Sequence, residues 1–178
     1  MSAWPPRILI TLLLAAGFHA AAIWLAPRAI VYIFMTRATA QMGVNHAAAL
    51  PLPTDKSHTV VRPSPDLLYA ACLYDVGTQP LLLESDLPDT YWSLSLFAAN
   101  SDNFFAVNDQ QVKTRHPRYV LALEAKPAGL PAELADVPVI VAPTRNGVVL
   151  FRNLVLDPTA MADAETAEHS ARCTPVGG

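Results

Sequence analysis

Residues 91–97 read Tyr91-Trp92-Ser93-Leu94-Ser95-Leu96-Phe97. Large apolar side chains at 92, 94 and 96 alternate with Tyr91, Ser93 and Ser95. That period of two is the mark of a strand with one face in a core and one outside it. A helix would need a period near 3.6, and this stretch has none. The segment is therefore read as a half-buried β-strand, and the surrounding sequence is read from it.

Short apolar runs broken by turn residues continue in both directions. Upstream lie Tyr69–Tyr74 and Pro80–Glu84; downstream lie Phe104–Val107, Tyr119–Leu123, Val137–Val141 and Val148–Phe151. Asn146-Gly147 before the last run is a strong hairpin signal, because both residues tolerate positive φ. About seven strands with close turns predict a mainly β body, an antiparallel sandwich or barrel-like domain, over residues 66–158. Pro127–Ala135 has room for one helical turn. Residues 159–178 carry few large apolar side chains, so they read as a flexible C-terminal tail with at most a marginal helix.

The N-terminal third has a different character. Ile8–Ala26 is nineteen residues without a formal charge. As a helix it extends about 28 Å, close to the ~30 Å apolar thickness of a bilayer. Arg7 precedes it, Pro27-Arg28 follow it, and Trp24 lies near the second boundary, where an indole favours the membrane interface. A cleaved signal peptide has a shorter apolar core and a small-residue site soon after it. Here Ala38-Thr39-Ala40 comes late, behind the apolar Ala29–Met35. The reading is a single-pass signal-anchor at 8–26 in the inner membrane, with residues 1–7 cytoplasmic, 27–65 a juxtamembrane linker, and the globular domain in the periplasm. The flanking Arg7, Arg28 and Arg37 nearly balance, so charge alone does not set the direction.

Composition restricts function. The chain has 178 residues, 15% of them charged, and a net charge of -3. No Lys/Arg cluster of the kind that binds nucleic acid is present. Gly-x-Ser-x-Gly, phosphate-loop, His-x-x-x-His and Cys-x-x-Cys patterns are all missing, so no catalytic residues and no cofactor or metal are expected. His46 and His58 read as loop histidines. Cys72 and Cys173 allow one disulfide, which an oxidising compartment would permit; a buried free thiol at Cys72 is equally compatible with its apolar run.

Binding residues are sought among the polar side chains. His19 stands mid-span beside Gly17, Ala20 and Ala21, and a polar group with small neighbours suits helix–helix contact. Asn103, Asn108 and Asp109 flank the aromatic strand and would suit a pocket mouth, although Asn and Asp are also what turns require. His116 and Arg118, with Arg115 and Lys113, form a small basic patch that suits a carboxylate or lipid headgroup, or a solvated loop.

Asp66–Asp75 (DLLYAACLYD), PLLLES, YWSLSLF with NFFAVND, and Gly147–Pro158 (GVVLFRNLVLDP) together resemble the domain-of-unknown-function family 1254 in a short, membrane-anchored form. The anchor's Gly17-x-His19 and its proline-arginine exit are similar too. The resemblance spans Ser64–Pro158 and brings no catalytic residues. It implies that longer relatives carry a second β-domain of family 1214, which a separate partner protein would have to supply here. The expected role is a non-catalytic binding or assembly module of the cell envelope. Its rivals are an enzyme acting on envelope lipid or glycan, and a small subunit of a membrane complex.

Overall fold

The computed structural model describes residues 4–54, 56–57 and 63–176, so His58 lies outside the described residues. One long helix, α1 (Trp4–Met42), leads into nine strands and a second helix. The strands are β1 (Ala47–Ala49), β2 (Leu67–Asp75), β3 (Leu81–Glu84), β4 (Trp92–Ala98), β5 (Asn103–Asn108), β6 (Arg118–Ala122), β7 (Val139–Val141), β8 (Asn146–Leu154) and β9 (Arg172–Pro175). Helix α2 (Met161–Ser170) precedes β9.

Two sheets form. The first has the order β1-β2-β8-β4-β5, all antiparallel, and the second has the order β7-β6-β3-β9. β6 and β7 pair in parallel, so the second sheet is mixed where an all-antiparallel domain was expected. The sandwich arises because alternate residues of both sheets meet in one core. Trp92, Leu94 and Leu96 of β4 join Cys72 and Tyr74 of β2, Val149 and Phe151 of β8, and Leu81, Leu83 and Leu121 of the second sheet. Each of these side chains removes most of its apolar surface from water, worth roughly 1.5–3 kcal/mol for the larger ones. The indole of Trp92 is buried, and its N–H donates to Ser85 Oγ at 3.1 Å. That bond removes the penalty of an unpaired buried donor.

The C-terminal segment is part of the body, not a flexible tail. β9 adds to the edge of the second sheet beside β3, and Cys173 on it is disulfide-bonded to Cys72 on β2. The bond joins the two sheets across 101 residues of sequence. Closing a loop of that size lowers unfolded-chain entropy, worth up to about 4.7 kcal/mol in the chain-entropy picture. Helix α2 lacks an apolar stripe of large residues, but Ala164 and Ala167 are buried, so small side chains let it lie close to β2 and β8.

Two expectations about local structure are corrected. Pro27 does not end the N-terminal helix, which runs 39 residues, ~58 Å, to Met42. A proline within a helix removes one N–H and strains the preceding turn. Here Arg28 reaches back, its guanidinium donating to the Trp24 carbonyl at 2.6 Å and lying 4.3 Å from the Trp24 ring centre. The helix stops instead at Gly43, whose φ of 78° suits a left-handed cap and whose N–H donates to the Thr39 carbonyl. Asn45 then exchanges two side-chain hydrogen bonds with the backbone of Asp75, which seats β1 beside β2. Part of the expected linker is thus sheet.

Asn146-Gly147, the second case, is not a hairpin turn. Both residues lie within β8, where Gly147 pairs with Tyr74 on one side and Ala98 on the other. A Cβ at Gly147 would overlap the Phe97 carbonyl and the Tyr74 phenol. Glycine is needed there for close approach of chains, not for positive φ. Gly147→Ala is therefore expected to destabilise the full chain by about 2 kcal/mol or more, read from urea melts in an uncharged detergent.

Glu168 on α2 is 4% exposed, and its Oε1 has no hydrogen-bond partner among the described residues. Burial raises its carboxyl pKa above the ordinary 4.5, and the nearby His169 offsets this only in part. A raised carboxyl pKa means that the ionised form is disfavoured in the fold. The cost is present above the folded pKa and disappears as pH falls through it toward 4.5. Glu168→Gln should melt higher than wild type at pH 7.5, and the difference should shrink steadily as both proteins are acidified.

Candidate functional site

The alternation that sends Trp92, Leu94 and Leu96 inward sends Tyr91, Ser93 and Ser95 to the outer face of the first sheet. Strand register decides what stands beside them. Ser93 is opposite Arg152 of β8 on one side and Asn108 of β5 on the other; Ser95 is opposite Leu150 and Ala106. After β5 the chain turns, and Gln111 comes back over the strand end. Tyr91, Ser93, Ser95, Asn108, Gln111 and Arg152 line a shallow groove of about 340 Å³. A second concavity on the flank of α1 is lined by Trp4, Arg7, Ile8, Thr11 and Leu12, with Arg7 and Thr11 its polar side chains.

Within the groove, Arg152 Nη2 donates to Ser95 Oγ at 3.2 Å. Among the described residues Arg152 has no carboxylate partner. Ser93 is 4% exposed, and its hydroxyl has no hydrogen-bond partner among the described residues. A buried hydroxyl left unpaired costs about 1–3 kcal/mol, so its presence at a groove wall calls for an occupant. The Asn108 Oδ1 accepts from the Gln110 N–H at 3.1 Å, and the Gln111 Oε1 accepts from the Asn108 N–H at 3.0 Å. Both carboxamides are thereby held in place by the turn.

The sequence-derived candidates are dispersed. His19 lies on the exposed middle of α1, and a Cβ at neighbouring Gly17 would meet nothing within 4 Å. Asn103 and Asn108 sit at opposite ends of β5, ~17 Å apart along the strand, so they form no single cluster. Near Asn103 the polar residues make a turn: the Ser101 N–H donates to the Ala98 carbonyl, and Ser101 has a φ of 74°. Asp109 exchanges hydrogen bonds with the backbone of Trp92. Of the candidates, Asn108 alone borders the groove.

His116 and Arg118 do not form a free basic patch. The His116 Nδ1 is 2.6 Å from Asp86 Oδ1, and its Nε2 is 3.7 Å from Glu84 Oε2. Glu84 also faces the Arg118 Nε at 3.5 Å, and Arg115 pairs with Asp89 at 2.6 Å. The Nδ1 contact is of hydrogen-bond length, whereas Nε2 lies beyond hydrogen-bond distance of Glu84. These contacts clasp the loop after β3 to the start of β6. Among the described residues, no three His, Cys, Asp or Glu side chains converge on a metal position.

Arg152, Ser93, Ser95 and Gln111 escaped sequence reasoning as a group. The outward serines were visible in the alternation, but only register reveals that Arg152 stands next to Ser93.

With this geometry in view, comparison with known proteins gives a family and a fold. The family described as "Protein of unknown function (DUF1254)" matches residues 44–175. A crystal structure of the VPA0106 protein from Vibrio parahaemolyticus is similar, with a TM-score of 0.66 at 15% identity over 87% of this chain. The chain spans 37% of the length of that Vibrio protein. An uncharacterised protein from Burkholderia cenocepacia aligns with a TM-score of 0.47 at 15% identity, covering 65% of this chain and 33% of its own. No curated protein matches the chain.

The clasp around His116 is half exposed, and exposed ion pairs contribute little. His116→Ala is expected to lower stability by no more than about 1 kcal/mol in thermal melts and to leave the groove unchanged.

Proposed function

The chain belongs to the DUF1254 family, and from that premise we propose that it is a membrane-anchored binding or assembly module of the cell envelope. The single observation carrying this reading is α1. Along 39 residues it leaves Ile8, Leu12, Leu13, Phe18, Ile23, Trp24 and Leu25 more than half exposed. So continuous an apolar surface is unfavourable in water and favourable in hydrocarbon. The helix is long and apolar enough to cross a bilayer. The Cys72–Cys173 disulfide supports placing the sandwich outside the cytoplasm, in a periplasm-like oxidising space.

In this role the sandwich binds rather than transforms. His116 is engaged with Asp86 in the surface clasp and lies outside the groove. A partner protein carrying the family 1214 domain, docking within the membrane or beside it, is part of the same proposal, with His19 and Gly17 on the helix face available to it.

Membrane fractionation tests the reading. The full chain should remain in the pellet after alkaline carbonate washing, and detergent solubilisation should bring a protein with a family 1214 domain down with it. Release of intact chain by carbonate would overturn the anchor. A chain that stays in the pellet and is captured without such a protein would overturn the partner.

A further inference from the structure

The groove on the outer face of β4, β5 and β8 brings the Arg152 guanidinium together with two carboxamides and three hydroxyls, and no carboxylate is among its lining residues. We infer that it is a receptor for an oxyanion, a carboxylate or phosphate group, with Arg152 and Ser93 at its centre. The inference names the ligand chemistry for the binding role proposed above and rests on that role, but not on the anchor.

Which end of each side chain faces outward follows from what each bonds. Backbone N–H groups can only donate, so the Asn108 and Gln111 carboxamides must turn their oxygens toward the Gln110 and Asn108 amides that bond them. Their NH₂ ends, which only donate, are then left for a ligand. Ser95 Oγ accepts from Arg152, so the Ser95 hydroxyl proton is free to donate elsewhere. The Arg152 guanidinium has further N–H groups and no carboxylate neighbour among the described residues. No acidic side chain lines the groove.

Ser93 supplies the independent indication. Its hydroxyl is buried, unpartnered and at the groove wall, directly across the sheet from Arg152. The hydroxyl oxygen is itself out of solvent contact, so an oxyanion resting on Arg152 would accept from it after a rotation of the Ser93 side chain and relieve an otherwise unpaired polar group. A neutral sugar is a poorer match, since it offers no negative charge to the Arg152 guanidinium, whereas an oxyanion gains charge-assisted hydrogen bonds there. A cation is excluded by Arg152.

The test is an amide and Arg Nε–H NMR titration of the full chain in uncharged detergent at constant ionic strength, using inorganic phosphate, acetate and glucose as probes. Phosphate or acetate should shift the Ser93, Asn108 and Arg152 signals with millimolar affinity. Arg152→Gln should weaken binding at least about tenfold, and Ser93→Ala about three- to tenfold. Arg118→Gln should leave it unchanged. If Arg152→Gln perturbs the whole spectrum, Arg152→Lys takes its place; it keeps the charge but not the fork, and intermediate binding is expected. Nanodiscs then separate the sources. Shifts in phosphatidylglycerol but not phosphatidylcholine discs, with phosphate absent, would identify a lipid headgroup as the natural oxyanion; no shift there would identify a soluble one. The inference fails if neither anion shifts these signals, if glucose alone does, or if Arg152→Gln binds equally well. Loss of membrane retention in fractionation would leave this titration unaffected, so the two readings fail separately.

Discussion

Strand β8 pairs along its length with β2 on one side and β4 on the other, and much else in the molecule follows from that double pairing. Side chains one residue out of register would move every core group to the wrong face. With the register held, Val149 and Phe151 enter the core opposite Leu94 and Leu96, while Arg152 is delivered to the outer face beside Ser93. Gly147 permits this by letting the three chains approach where a side chain would not fit. The Asp75–Arg145 ion pair, with both carboxylate oxygens engaged, closes the same end of the β2–β8 pair. The Arg145 guanidinium holds the Asp75 carboxyl below its usual pKa range, so the clasp keeps its charge at neutral pH.

The two polar regions of the sandwich are opposites in state. Around His116 the polar side chains pair with one another, Arg115 with Asp89, Arg118 with Glu84 and the imidazole with Asp86, which leaves a self-satisfied surface clasp. Around Arg152 the donors outnumber the acceptors, and a buried hydroxyl goes unpaired. Residue type alone would rank histidine as the more functional group. The difference lies in what surrounds each, and that is a property of the fold.

Much of the β body was legible because its signal is local. The Trp92–Leu96 alternation reports one face per residue, and the structure sends Trp92, Leu94 and Leu96 into the core as it implies, although Ser93 and Ser95 are buried too, so the strand is not half-buried. β9 was not legible: Arg172-Cys173-Thr174-Pro175 has no apolar pattern, and its place depends on pairing with β3 and on the bond to Cys72. Helix α2 was hidden for a related reason, since alanines do the packing and give little hydrophobic signal. Asn146-Gly147 misled because glycine serves both tight turns and close strand approach, and only the neighbouring strands distinguish the two. Pro27 misled because a proline removes only one hydrogen bond of the ladder, and the helix continues through it to Met42. For the groove, two serines were visible as an outward face, whereas the cation beside them is separated by 57 residues of sequence.

The passage from helix to sheet is short. Only residues 43–46 separate Met42 from β1, and Ala38 in the last turns of α1 is already buried. A connection of that kind has no slack, so the sandwich inherits the rotational phase of the helix beneath it. Each residue added to or removed from α1 would turn the domain by about 100° and raise or lower it by about 1.5 Å. Helix length thus acts as an angular setting for the direction in which the outer face of the first sheet looks.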